Sequence, residues 1–296
     1  MQNVDISLGG VSPSRLSYGC MRITGDGSPN DLSKGKKAVG TAVDAGYTLF
    51  DLADIYADGA CESLFGEVLK EAPGLFDRVI VATKCGIRTD APKRYDLGKE
   101  WIVQSAEQSL RRLGIESIDL YLLHRPDFLM RAEEVAAAFD DLQSAGKVAH
   151  FGVSNFKCSQ VELLRAAASQ PILCNQLEIN NHTIDALGNG TLDQAQQFGM
   201  FEQARSPNAG VAYPAWGNTF SAEDEARIHD EIDRQAGRYG VDGWIVALAW
   251  LLALPADVSP LIGSTTPSRI KAAKRALSID YAREDWYRLL EARNGH

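Results

Sequence analysis

Four side chains able to move or steady a proton stand where short apolar runs of this chain end. Tyr47-Thr48-Leu49-Phe50 delivers Asp51, and Tyr56 follows five positions later. Val79-Ile80-Val81-Ala82-Thr83 delivers Lys84, and Ile118 to Leu123 delivers His124. A phenol has an unperturbed pKa of about 10 and donates poorly near neutrality unless a neighbouring cation stabilises its phenolate. Lys84 can be that cation, and Asp51 can keep the ammonium charged and oriented. Taken singly, each residue has a plainer reading: Asp51 as a loop cap, Tyr56 as packing, Lys84 as a solvated strand end, His124 as a core histidine. Only the ordered set argues for a site.

Three successive strands ending beside reactive side chains imply a scaffold that brings strand ends to one face, as a closed parallel barrel does. Strands are expected at 16–20, 46–51, 79–84, 118–123, 148–153, 172–177, 200–205 and 258–262. Helices are expected at Ser33–Ala45, Lys99–Leu113 and Glu133–Ala145, each followed by a glycine that relieves the left-handed cap. Others are expected at Ala222–Tyr239, Gly243–Leu254 and Pro267–Leu277, with a short tail at Arg283–Arg293. The pattern predicts one α/β domain over 1–296, a (β/α)8 TIM barrel. Asp5-Ile6-Ser7-Leu8 and Ser14-Arg15-Leu16-Ser17 predict an N-terminal β-hairpin closing the barrel bottom. The longest irregular stretches, 85–97 and 206–221, both follow strands and belong to the catalytic face.

The 296 residues are 45% hydrophobic with a formal net charge of −9, enough for a large core and unfavourable for nucleic acid as a partner. No basic cluster relieves that balance. The five cysteines lack CxxC spacing, so neither a disulfide framework nor a zinc ribbon is expected. The N-terminus does not read as a secretory signal, and the apolar stretch from Ile245 to Ala256 is too short to span a bilayer. A cytoplasmic protein without a metal and without a membrane partner is expected. GxGxxG after a strand, HExxH and GxSxG are all missing, which argues against a Rossmann site, zinc hydrolysis and serine acyl transfer.

In order along the chain, Phe50-Asp51-Leu52-Ala53-Asp54-Ile55-Tyr56 with Gly59 and Glu62, Thr83-Lys84-Cys85-Gly86-Ile87, and Leu122-Leu123-His124-Arg125-Pro126-Asp127 resemble the catalytic segments of aldo-keto reductases. Gly152-Val153-Ser154-Asn155-Phe156 and Asn175-Gln176-Leu177-Glu178 resemble that family's nicotinamide-side segments, and the wording is nearest to short-loop bacterial oxidoreductases. The resemblance implies NADPH as cofactor and a small-molecule carbonyl as substrate. Tyr56 would be the general acid, Lys84 and Asp51 would lower its pKa, and His124 would orient the carbonyl oxygen. Ser154, Asn155 and Gln176 would hold the carboxamide. Gly19, Cys20 and Met21 after the first strand, Ser206, Asn208 and Gly210 after the seventh, and Ile262, Gly263, Ser264, Thr265 and Arg269 after the eighth would complete the cofactor site. Ser264 and Arg269 favour NADPH over NADH by meeting the 2′-phosphate; a surface salt bridge is the alternative for Arg269.

Two positions depart from the family pattern. Arg205 stands where many members place an aromatic that stacks on the nicotinamide and so belongs to the expected cofactor site; a guanidinium plane can stack on a ring, but its charge disfavours the cationic oxidised nicotinamide, and Tyr213 or Trp216 is the substitute for that role. Arg205 either faces the barrel mouth and attracts an anionic substrate or turns outward to pair with Glu202, the second being favoured. Ala272 and Ala273 replace a Glu and an Asn near the adenine. Tyr213, Trp216 and Phe220 read either as pocket lining or as loop anchors, and Cys85 as packing unless Lys84 lowers its pKa. An NADPH-binding regulatory subunit is the competing function; a chain that begins almost directly with its hairpin tips the expectation toward an enzyme. A lysine Schiff base is disfavoured because Asp51 favours the charged ammonium. The short tail predicts an open site.

Overall fold

Every second residue of a strand faces the same way, and here the inward set is apolar at the barrel's lower end and reactive at its upper end. Leu49, Ile80, Ala82, Leu120, Leu122, Cys174 and Phe201 pack together inside the barrel. Two residues beyond the last of these on four strands stand Asp51, Lys84, His124 and Gln176. The structure is a computed structural model that describes residues 1–4, 8, 10–215, 217 and 219–295.

The barrel strands are β1 (Ser17–Gly19), β2 (Leu49–Asp51), β3 (Ile80–Cys85), β4 (Ile118–Leu123), β5 (Val148–Ser154), β6 (Ile172–Glu178), β7 (Phe201–Arg205) and β8 (Ser259–Ile262). They close in sequence order, with β8 parallel to β1. Register brings the reactive ends level: Gly19 lies opposite Asp51, Asp51 opposite Ala82, and Lys84 opposite Leu122. The expected barrel is therefore the observed one. The stretch 85–97 adds a small antiparallel ribbon, Ile87–Arg88 with Arg94–Tyr95, above β3.

Around the barrel run α1 (Pro29–Ala45), α2 (Ala60–Glu71), α3 (Lys99–Leu113), α4 (Ala132–Ser144), α5 (Cys158–Ala167), α6 (Thr191–Phe198), α7 (Ala222–Tyr239) and α8 (Gly243–Leu252). The short α9 (Pro267–Ala272) and the C-terminal α10 (Arg283–Asn294) complete the chain. Outward strand residues and inward helix residues form a second apolar layer, in which Phe139 of α4 stacks on Phe151 of β5 with centroids 3.9 Å apart.

The helix α1 starts four residues before the expected Ser33, because Ser28 caps Asp31 N–H at 3.3 Å and Pro29 takes the first turn. The helical run from Pro267 changes after Ala272 to a 3₁₀ turn ending at Ser278. Helix α2 escaped the sequence reading because it opens at Gly59 with no side-chain cap.

At the barrel bottom, antiparallel bridges join Asn3 to Ser14 and Leu8 to Val11. Val4 and Leu8 belong to the interior cluster, so this hairpin plugs the lower opening. Asp5-Ile6-Ser7 and Gly9 of the expected hairpin lie outside the described residues. At the opposite end of the chain, α10 is clipped to α8 by two indoles that exchange hydrogen bonds. Trp250 Nε1 donates to Trp286 O at 3.1 Å, Trp286 Nε1 donates to Trp250 O at 3.0 Å, and the rings stack 4° from parallel. Among the described residues no helix is long and apolar enough to cross a membrane.

Candidate active site

Lys84 is fully buried at the end of β3, and all three of its N–H donors are spent on protein acceptors. They meet the Asp51 carboxylate at 2.7 Å, Leu52 O at 2.6 Å and the Tyr56 hydroxyl at 3.2 Å. An ammonium held this way has no lone pair to offer, which argues against the Schiff-base alternative. Burial works against the charge, but Asp51 and then Tyr56 outweigh it and hold the pKa above the ordinary lysine value.

Tyr56 reaches this cation from a tight turn, with its N–H on Ala53 O at 3.1 Å. The next two residues, Ala57 and Asp58, both take left-handed backbone (φ 48° and 51°), a conformation that costs non-glycine residues roughly 1 kcal/mol or more each. Gly59 follows at φ 88°, and a Cβ there would lie 2.6 Å from Arg112 Cδ. That arginine is needed in place: Arg112 Nε donates to Glu62 Oε2 at 2.6 Å, and Glu62 Oε1 accepts from Thr83 Oγ1 at 2.5 Å. The pair ties α2 and α3 to the outer face of β3. Asp54, between the two groups, is pushed up to about 7 by burial and by the Glu62 carboxylate.

The balance on Tyr56 differs from the sequence expectation. Burial pushes the phenol up, Lys84 pulls it down, Asp51 pushes it up again, and the net direction is upward. Only Lys84 lowers it; Asp51 acts by fixing the ammonium. His124 stands edge-on to Tyr56, ring centroids 6.0 Å apart. Burial, then Lys84, Arg125 and Arg205, hold its pKa well below the usual histidine value, so the imidazole is neutral. Cys85, beside Lys84, is buried and its thiol is pushed up by that burial, which makes it a packing residue.

Asp51, Tyr56 and His124 line one end of a cavity of about 750 Å³ that runs across the barrel mouth, and Lys84 is buried behind them. Gln176 donates from Nε2 to Asp51 Oδ1 at 2.7 Å and to Gln203 Oε1 at 3.0 Å, which fixes its amide orientation and leaves Oε1 for an N–H donor. Gln203 continues the chain to Ser17 Oγ at 3.4 Å. Asn155, at φ 62°, donates from Nδ2 to His124 O at 3.1 Å and to Ser154 Oγ at 2.8 Å, and Ser154 donates to Gln176 O at 2.9 Å. Asparagine tolerates that left-handed backbone better than most residues.

The cavity wall continues through Gly19, Met21, Arg205, Ser206, Asn208, Ile262, Gly263 and Ser264 to Arg269. Cys20, Gly210 and Thr265 do not line it. Cys20 turns into the apolar layer beside Tyr18, and Gly210 packs so closely on the His182 ring that a Cβ would lie 1.9 Å away. Arg205 also departs from the favoured expectation: its Nη1 lies 2.7 Å from Glu178 Oε2 at the barrel mouth, and Glu202 takes no part. Residues 202 and 205 are an odd number apart on one strand and so point to opposite faces. Arg269 makes no ion pair among the described residues, against the salt-bridge alternative. Of the loop aromatics, Tyr213 lines the cavity under Arg22, 5.8 Å from ring centroid to guanidinium, and Phe220 packs on His182; Trp216 lies outside the described residues. The sequence reading missed Arg22, His229, Asp233 and Trp244 in the wall, since no spacing ties those loops and helices to strand ends.

The donor set fits a nicotinamide dinucleotide at both ends. Hydroxyl and amide groups (Ser154, Asn155, Gln176 Oε1, and the buried unpaired Asn208 Oδ1) suit a carboxamide near Tyr56. Arg22, Ser264 and Arg269 suit phosphates at the other end. Among the described residues none beyond Arg269 lines the cavity, so the described C-terminal segment leaves it open. Among the described residues no cluster could hold a metal ion.

A model described as the Aldo/keto reductase family matches residues 15–294. The chain is 38% identical over 295 residues to a 6-dehydroglucose reductase of Novosphingobium aromaticivorans, covering 97% of this chain and 93% of the relative. It is 40% identical over 261 residues to oxidoreductase YdhF of Escherichia coli, covering 86% and 85%. Among solved structures, a glycerol dehydrogenase of Gluconobacter oxydans superposes with a TM-score of 0.85 at 25% identity, over 100% of this chain and 95% of that one.

Proposed function

Since the chain belongs to the aldo/keto reductase family of oxidoreductases, we propose that it reduces an aldehyde or ketone to the alcohol with NADPH, and that Tyr56 supplies the proton. The observation that carries this reading is the placement of the Tyr56 hydroxyl 3.2 Å from a buried lysine whose other donors are committed. NADPH, when bound, supplies the hydride. As negative charge develops on the carbonyl oxygen, Tyr56 releases its proton and Lys84 steadies the phenolate, an interaction stronger in the transition state than in the ground state. Neutral His124, lining the same cavity, orients the oxygen by hydrogen bonding without competing as an acid. Ser154, Asn155 and Gln176 would position the carboxamide, and Ser264 with Arg269 would select the phosphorylated cofactor. Five free cysteines, four of them buried, suit a reducing compartment, and we place the protein in the cytoplasm.

The test is NADPH oxidation against a panel of aldehydes and ketones with wild type and Tyr56→Phe. A loss in kcat of about 10² to 10⁴, with NADPH affinity retained, is expected for removal of the general acid. Tight NADPH binding with no consumption by either protein would instead support the regulatory-subunit reading.

A further inference from the structure

The catalytic end of the cavity carries one cation more than its own carboxylates balance. Lys84 is paired with Asp51, and Arg205 with Glu178 at 2.7 Å. Arg125, the residue after His124, lines the same wall and makes no ion pair or hydrogen bond with a described side chain. Arg205 also keeps its Nε buried and without a partner. Two guanidinium groups thus line one cavity, and only one of them has a carboxylate partner.

We propose that this space binds a carboxylate carried by the substrate, through Arg125 and the part of the Arg205 guanidinium that lines the cavity, so that the preferred substrates are aldehydes or ketones bearing an acidic group. The inference rests on the reductase reading of the site. A carboxylate would relieve the repulsion between the guanidinium groups and give their planar donor edges the acceptors they match best. It would also balance the charge at the reacting end, whereas Arg22 and Arg269 serve the other end of the cavity. The backbone that carries both arginines is held in place. The neighbouring His124 N–H donates to Cys85 O at 2.7 Å and its carbonyl accepts from Asn155 Nδ2, while Glu178 and Arg205 sit opposite one another in the β6–β7 register.

The experiment compares 4-formylbenzoate with 4-formylbenzamide, two aldehydes of nearly one shape that differ in charge, with wild type, Arg125→Met and Arg125→Lys. The expected result is a kcat/KM ratio of about tenfold or more in favour of the benzoate, carried by KM and reduced by salt. The ratio should collapse toward one in Arg125→Met and recover in part in Arg125→Lys. Using the ratio cancels any general loss in the variants. Equal kcat/KM for the two aldehydes in wild type, or a preference that survives Arg125→Met, overturns the inference while leaving the reductase reading in place. No turnover of either aldehyde by a wild type that consumes NADPH with other carbonyls overturns the inference alone, whereas silence across the whole carbonyl panel overturns the reductase reading and the inference with it.

Discussion

The two ends of the cavity are built on opposite plans. At the Tyr56 end, side chains from β2, β3, β4 and β6 hold one another through buried bonds: Lys84 to Asp51, Gln176 to Asp51 and Gln203, Asn155 to His124 O. At the Arg269 end, Arg22, Ser264 and Arg269 sit on loops or an exposed first turn with few protein partners. One end is fixed before anything binds; the other keeps its donors available. The difference follows from burial, because a charge inside the barrel is tolerable only with its partner, while a charge at the rim is solvated either way.

Breaking the fixed end should therefore cost stability as well as rate. Lys84→Met leaves the Asp51 carboxylate buried without its cation and should lower the unfolding free energy by roughly 3–5 kcal/mol, read from urea denaturation; a loss under about 1 kcal/mol would contradict the contrast. At the open end the effect should fall on affinity alone. Arg269→Ala should raise the NADPH dissociation constant about tenfold, with little change for NADH and none in the urea midpoint. Equal weakening of both cofactors would separate Arg269 from the 2′-phosphate.

The smallest effect sharpens the contrast by pH. Asp54 has a folded pKa of about 7, raised first by burial and then by Glu62, above its unfolded value near 3.9. The stability it allows is whole below about pH 4 and lost as pH rises through about 7. Asp54→Asn should thus raise the melting temperature by roughly 2 °C at pH 8 and change it little at pH 4. A gain of the same size at both pH values would show that charge is not the cause.

Much of the fixed end was legible in the sequence because two periodicities coincide there. Apolar alternation marks each strand, and the first reactive residue beyond it is the one that faces the mouth, as with Leu49 and Asp51 or Leu122 and His124. Relations across strands were harder to read. Glu178 pairs with Arg205 only because β6 and β7 run in a register that sets them side by side, and register is not written in either strand alone. Arg205 and Glu202 stand three apart, a spacing that joins side chains on a helix but sets them on opposite faces of a strand. Trp244, His229 and Asp233 reach the cavity from α7 and α8, through loop lengths that carry no local signal.

The indole pair that clips α10 to α8 also makes the molecule its own optical gauge. Two parallel tryptophan rings with centroids 5.0 Å apart are close enough for their transitions to couple, and Trp250 and Trp286 contribute none of the cavity wall. Their near-ultraviolet circular dichroism should report the docking of the last helix independently of what occupies the barrel mouth. The spectrum and the enzymatic rate can therefore follow separate clocks as the chain unfolds.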